Sequence, residues 1–168
     1  MKIGNVLKIM AVGMVVMSFA ACSDPVKERV GDYSYTIAKQ AVTVADTINT
    51  TLTSEKGALE IEKKGDDGVV LTFNSLTGDV YTTTGTIKDD ALSFKPFKRT
   101  VAVIYKVEEQ VLLVTEEKTV TEEFDVTVSG TAEMHDETIH FYLNYEGTGV
   151  TNGNALKGEN ILMVAKKN

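Results

Sequence analysis

Any chemistry in this chain has to come from very few side chains. Only two histidines occur, His135 and His140. Five positions apart in one strand they would face opposite ways, and His135 shares a turn with Asp136 and Glu137. Chelation by the pair is therefore not expected, and no metal site is assigned. Cys22 is the single cysteine and no Gly-x-Ser-x-Gly elbow occurs, so no activated nucleophile stands out. Gly147, Thr148, Gly149 and Gly153 form a glycine-rich stretch, but the third glycine is misplaced for a phosphate cradle and no helix follows it. The acid pairs Asp66 with Asp67, Asp89 with Asp90, Glu116 with Glu117 and Glu122 with Glu123 could serve acid/base work or hold calcium. Adjacent strand residues point to opposite faces, however, and the aspartates fall in turns where they bond local backbone, so solvated charge is the expectation. No cofactor is implied and catalysis is not expected.

Binding is better served. Tyr33, Tyr35, Tyr81, Tyr105 and Tyr142 each couple an apolar ring to a polar tip, as residues lining a ligand cup do, and they are the candidate ligand-binding set; Tyr145 offers the same chemistry. Ordinary core and rim positions would account for them as well.

The elements that would position these tyrosines alternate with period two. Tyr33 and Tyr35 alternate with Ser34 and Thr36, and Leu59 and Ile61 with Glu60 and Glu62. The turn Gly65, Asp66, Asp67, Gly68 joins the second of these runs to Val69–Phe73, making Leu59–Phe73 the clearest hairpin. Further turns at 76–79 and 88–90 bound a strand over Val80–Ile87, and a strand opens with Leu92 and Phe94. Pro96 has no amide hydrogen for a ladder, so 95–98 should bend before Val101, Val103, Tyr105 and Val107 resume the alternation. Strands at Val111–Val114, Phe124–Val128, Ile139–Tyr145 and Ile161–Ala165 follow. Residues 41–52 fit a helical stripe through Ile37, Ala41, Val44, Ala45 and Ile48, or a strand through Val42, Val44, Ile48 and Leu52; heavy β-branching favours strand. Elsewhere no helix signal is found. About eight strands joined by short turns predict an all-β fold, an antiparallel up-and-down meander that hides its edges by closing into a barrel. At eight strands the interior is either filled by side chains or holds one small ligand.

The N-terminus reads as an address. Lys2 and Lys8 flank a short polar start, Ile9–Ala21 carries no charge, and the run is shorter than the roughly 20 apolar residues a spanning helix needs. Phe19, Ala20, Ala21, Cys22 resembles the lipobox of bacterial lipoproteins, with phenylalanine in the place of the usual leucine. That resemblance implies a signal peptide over 1–21, lipidation of Cys22, a polar tether over 22–30 and one domain over 31–168. Each buried acyl methylene contributes roughly 0.8 kcal/mol, so a diacylglyceryl cysteine holds firmly to its membrane. The net charge of −7 becomes two units more negative once Lys2 and Lys8 leave with the signal, which disfavours nucleic acid and anionic headgroups as partners.

Two family resemblances follow from motifs. Gly31, Asp32, Tyr33 resembles the Gly-x-Trp signature of lipocalins with tyrosine replacing tryptophan. The chain is also similar to the calycin-like lipoproteins of Bacteroidota, in that opening, the hairpin of Leu76–Ile87, the hairpin from Ser129, Gly130 and Thr131 to Leu143, and the closing strand. The resemblance implies a lipid-anchored, lipocalin-like barrel in the cell envelope, at the outer membrane on its periplasmic or surface face, and a late cation over the signature ring, where Lys166 stands. Asp46, Thr47, Ile48 matches a short O-glycosylation motif of exported Bacteroidota proteins, which marks Thr47. The expected role is capture of a small apolar or amphipathic ligand or a glycan. The alternatives are a structural or protein-interaction module, such as an inhibitor, and an enzyme working through carboxylates.

Overall fold

In the computed structural model, which describes residues 24–111 and 114–168, the chain is an all-β barrel. Strand β1 (Gly31–Ile37) pairs antiparallel with β4 (Glu55–Lys64), and the ladder continues through β5 (Gly68–Ser75), β6 (Val80–Lys88), β7 (Ala91–Phe94), β9 (Val114–Met134), β10 (Thr138–Gly149) and β11 (Ala155–Lys167). Strand β11 then returns to β1, from Tyr33 opposite Lys167 to Ile37 opposite Met163, and the ring of eight strands is closed. Closure removes the free edges that an open sheet of this length would expose.

The path departs from a simple meander in two places. A hairpin of β2 (Gln40–Val44) and β3 (Ile48–Leu52) is inserted after β1, so β1 pairs with β4 instead of its successor. The ambiguous stretch 41–52 is thus two strands, with Ala45 and Asp46 at positive φ in the tight turn between them. Second, Lys95 and Pro96 break what would be one barrel strand into β7 and β8 (Phe97–Val111), as the missing proline amide requires. The bend is held because Lys95 N donates to Thr84 O and Thr83 Oγ1 donates to Lys95 O, at 2.9 and 2.7 Å. Val111 ends β8 and Val114 begins β9, paired with each other, so the strand expected over Val111–Val114 has its two ends in different strands.

The hairpin expected over Leu59–Phe73 is present, with Leu59 opposite Phe73 and Lys64 opposite Gly68. Inward positions alternate as the pleat demands, and Tyr35, Phe73, Phe124 and Phe141 are among the largest fully buried side chains of one contiguous core. Phe73 stacks on Tyr81 and Phe97, with centroids 5.2 and 5.6 Å away, and meets Tyr35 and Phe141 edge-on at 6.0 Å each. Aromatic rings therefore fill the middle of the barrel.

Beyond the barrel, β8 and β9 run on together as a ribbon, and the β2–β3 hairpin lies against β8, where Thr50 Oγ1 donates to Ile104 O at 2.7 Å. The register of β10 on β11 shifts between Leu143 and Tyr145, and Asn160 N donates to Asn144 Oδ1 there at 3.0 Å. This bulge re-aims β11 so that Leu156 and Lys157 can pair with β2. Gly130 bends β9 at φ 152°, where a Cβ would lie 2.0 Å from Tyr142 O.

Among the described residues one helix occurs, where none was expected. Asp24 caps α1 (Pro25–Arg29), its carboxylate accepting from Val26 N at 3.1 Å, and Pro25 is pre-set for a helical start. Val26 is buried, and Arg29 Nη1 reaches His135 O and Asp136 O at 2.5 and 3.2 Å, so α1 closes one end of the barrel. The polar run expected to act as a tether is accordingly folded from Asp24 onward; residues 1–21, expected to be a signal peptide, and Cys22 lie outside the described residues. Phe73→Ala should cost about 3–5 kcal/mol in urea unfolding, by cavity formation, whereas Val80→Ser on the exposed surface should stay within about 0.5 kcal/mol.

Candidate functional site

At the end of the barrel opposite α1, four segments leave a gap. Ile37 ends β1, Leu52 to Lys56 carry β3 into β4, Leu76 to Asp79 turn β5 into β6, and β8 crosses with Arg99 to Ala102. These segments and Tyr145 bound a cleft of about 470 Å³, within the range of small-ligand sites. Its walls mix the apolar residues Ile37, Leu52 and Val101 with the hydroxyl residues Thr53, Ser54 and Thr77, and Thr100 and Ala102 border it from outward-facing positions of β8.

A charge pair stands at this cleft. Arg99 Nη2 donates to Glu55 Oε2 at 2.6 Å, and the two side chains are only 7% and 16% exposed. Arg99 Nη1 donates to Tyr81 Oη at 2.9 Å, and the guanidinium stands 4.6 Å from the centre of that ring. Glu55 Oε1 accepts from Tyr35 Oη and Tyr81 Oη at 2.7 and 3.2 Å. Gly57 makes room for this arrangement, since a Cβ there would fall 2.6 Å from the Tyr35 ring. Arg99 Nε is buried with no partner among the described residues.

The titration behaviour follows from the geometry. Burial by itself would raise the Glu55 pKa, but the hydrogen bond and charge of Arg99 and the two tyrosine hydroxyls outweigh it, holding the carboxyl below its usual range. Burial pushes the Tyr35 hydroxyl up to about 12, and the Tyr81 and Tyr145 hydroxyls are raised for the same reason. Burial would lower Arg99, yet Tyr145, Tyr81 and Glu55 together keep it raised, so the pair stays ionised. The cleft floor is a fixed dipole with its charges satisfied internally.

The tyrosines expected to share a cup are distributed differently. Tyr35 and Tyr81 meet behind the charge pair, their hydroxyls 3.4 Å apart and both on Glu55, and of the tyrosines Tyr145 lines the cleft itself. Tyr33 lies at the α1 end, donating to Arg29 O at 2.8 Å. Tyr105 lies in the extension and donates to Glu122 Oε2 at 2.6 Å. Tyr142 is on the outer face, 3.5 Å from Glu133 Oε2, because strand parity sends it opposite to Phe141 and Leu143. The cation near the signature ring is Lys167, whose Nζ is 5.9 Å from the Tyr33 centroid and donates to Glu28 O at 2.7 Å. Lys166, expected there, pairs with Ser34 and points outward.

Two further expectations change. Glu122 is not solvated: at 3% exposure it accepts from Tyr105 Oη, Asn152 N and Asn154 Nδ2, and so ties the β10–β11 turn to β9. Asp66, Asp67, Asp89, Asp90, Glu116, Glu117 and Glu123 are exposed as expected. Thr47 is exposed at the β2–β3 turn, its Oγ1 3.3 Å from Ala45 O. The two histidine rings, expected to stand apart, are 4.6 Å from each other, because the turn after β9 folds His135 back over β10.

No sequence motif includes Arg99 or Glu55, and Glu122 reads by motif as solvated charge, yet parity marks all three. Arg99 falls in phase with Phe97, Val101 and Val103, Glu55 with Leu59 and Ile61, and Glu122 with Phe124 and Val126, all inward positions. A charge at an inward position is the signal that identifies them.

No protein-family model matches the chain, and no curated protein matches it. Chains of solved structures do match, three in all. One is a redesigned β-barrel, 10% identical, covering 88% of this chain and 97% of its own, with a TM-score of 0.36.

Arg99→Met leaves Glu55 buried without its cation and should destabilise by about 3–5 kcal/mol, with the Arg99→Met/Glu55→Gln double variant losing less than the sum of the single losses. Because the folded pKa of Glu55 lies below the 4.5 of a free glutamate, its contribution is complete above that pH and is lost as pH falls through the folded value. Melting temperatures from pH 7 down to pH 3 should therefore fall less steeply in Glu55→Gln than in the parent.

Proposed function

We propose that this chain is an exported lipoprotein of the calycin-like kind found in Bacteroidota, anchored through Cys22 in the cell envelope, whose barrel is a non-catalytic binding module. Its ligand is small and amphipathic, or the end of a glycan, and is taken at the mouth of the barrel instead of deep inside it. One observation carries the reading: the cleft at the mouth combines apolar walls with a desolvated, rigidly held Arg99–Glu55 pair. Small-ligand sites have this composition, largely apolar with a few fixed polar groups that set orientation.

The same pair narrows the ligand chemistry. Glu55 already neutralises Arg99, and Lys56 and Asp79 at the rim are of opposite sign, so the cleft suits a neutral molecule with hydroxyl or amide groups better than a strong anion. The aromatic rings that fill the barrel support capture at its mouth over capture in its interior.

The alternative, a module that docks on another envelope protein, draws support from Leu76 and Val80. They are 80% and 63% exposed on either side of one turn beside the cleft, an apolar lip within reach of a larger partner.

A panel of oligosaccharides and neutral amphiphiles, screened by thermal shift, should yield a ligand that raises the melting temperature saturably. A ligand at about 100 times its Kd adds roughly 2.7 kcal/mol. Ser54→Trp narrows the cleft from the exposed β3–β4 connection without removing either member of the charge pair and should weaken that ligand at least tenfold at unchanged stability; a binding curve indifferent to it would remove the mouth as the site. Intact mass of protein from its native membrane should show a mature chain starting at acylated Cys22, with a glycan on the peptide containing Thr47. An unprocessed or unacylated chain would remove the anchor, and an unmodified peptide the glycan.

A further inference from the structure

At the end of the barrel closed by α1, the histidine rings lie 4.6 Å apart between centroids and are inclined at 59°. His135 is exposed and His140 half-exposed, so both are open to solution. Their backbones are well held: His135 N donates to Thr138 O at 2.8 Å, Arg29 Nη1 ties His135 O to α1, and His140 is paired on both sides, with Glu133 and Val164.

The spacing is that of a chelate. Imidazole nitrogens bind zinc at about 2.0–2.1 Å, which puts each ring centre about 3.2 Å from the metal. Two rings on one ion then lie about 4.5 Å apart when their bonds meet at a right angle and about 5.2 Å apart at the tetrahedral angle. The observed separation falls between these limits, and the inclination leaves the rings fanned instead of stacked.

We propose that His135 and His140 form a surface site for one divalent transition-metal ion, with copper(II) held most tightly and nickel(II) and zinc(II) less so. Imidazole donors select these ions, and their order follows general divalent affinity, whereas calcium and magnesium require oxygen ligands. Among the described residues no third histidine, cysteine or carboxylate completes a ligand group, so the remaining positions belong to water or to a ligand from solution. The ion therefore exchanges readily, unlike a closed structural zinc. The adjacent acids Glu133, Asp136 and Glu137, and a chain net charge of −7, favour a dication's approach. The site is at the far end of the barrel from the Arg99–Glu55 cleft and stands independently of any ligand there.

The test is titration of the metal-stripped chain, purified without a polyhistidine tag, with copper(II) chloride, followed by calorimetry and by electron paramagnetic resonance. One ion per chain with nitrogen hyperfine structure is expected. His135→Gln and His140→Gln should each weaken it at least about tenfold, with the metal-free melting temperature unchanged in both. No uptake at sub-millimolar copper, uptake that neither substitution weakens, or dependence on only one of the two histidines would overturn the chelate.

Discussion

The five-residue ladder between β1 and β11 is the constraint on which the rest of the molecule depends. Eight strands laid side by side have one apolar face and two open edges, and both problems are solved together when the last strand meets the first. Once the ring is closed, every strand has one set of side chains inside and one outside, with no third option. That is why rings from β1, β5, β6, β8 and β10 converge in the middle, and why a one-residue shift in parity moves Lys166 outward and leaves Lys167 beside Tyr33.

Closure also dictates where the irregularities fall. Inward positions that reach the barrel ends meet neither a full aromatic core nor open water, and there the chain places groups that a core would reject. Arg99 and Glu55 lie at one end under a thin cover, held by tyrosine hydroxyls whose rings belong to the core. A buried pair of this kind contributes little net stability compared with apolar residues of the same shape, because desolvating two ions costs about as much as their attraction returns. What it provides is a polar surface whose geometry is set before anything arrives. In the extension, Glu122 solves a different problem, since among the described residues it has no cation and is satisfied by a hydroxyl, an amide and a backbone N–H from the turn it secures. Two buried acids thus have opposite meanings, one facing a cleft and one pinning a loop.

The extension follows from two local breaks in regularity. The Lys95–Pro96 bend lets β8 leave β7 while staying on β9, and the bulge opposite Asn144 lets β11 turn away toward β2. Neither break interrupts the core, which remains contiguous from barrel to ribbon. An isolated two-stranded ribbon is marginal in water, so the β2–β3 hairpin that lies against β8 is what keeps that end folded.

Alternation alone was enough to read most strands, the Leu59–Phe73 hairpin, the break at Pro96 and the closed all-β class, because period two and turn chemistry are local properties of the chain. Parity also contained the buried charges: Arg99, Glu55 and Glu122 each sit in phase with apolar neighbours, although motif-based reading passes over the first two and takes Glu122 for solvated charge. What alternation could not carry was the partner of each strand. The β2–β3 insertion, the return of β11 to β1 and the fold-back of His135 over His140 are pairings between residues far apart in sequence or joined through a turn, and no local pattern encodes them. Nor could it foresee that Tyr35, Tyr81 and Tyr145 would meet while Tyr33, Tyr105 and Tyr142 would not. The sequence by itself determined which side of each strand a residue occupies, since that depends on neighbours two positions away; only the tertiary structure decided which residues share a site, since that depends on register and closure across the whole ring.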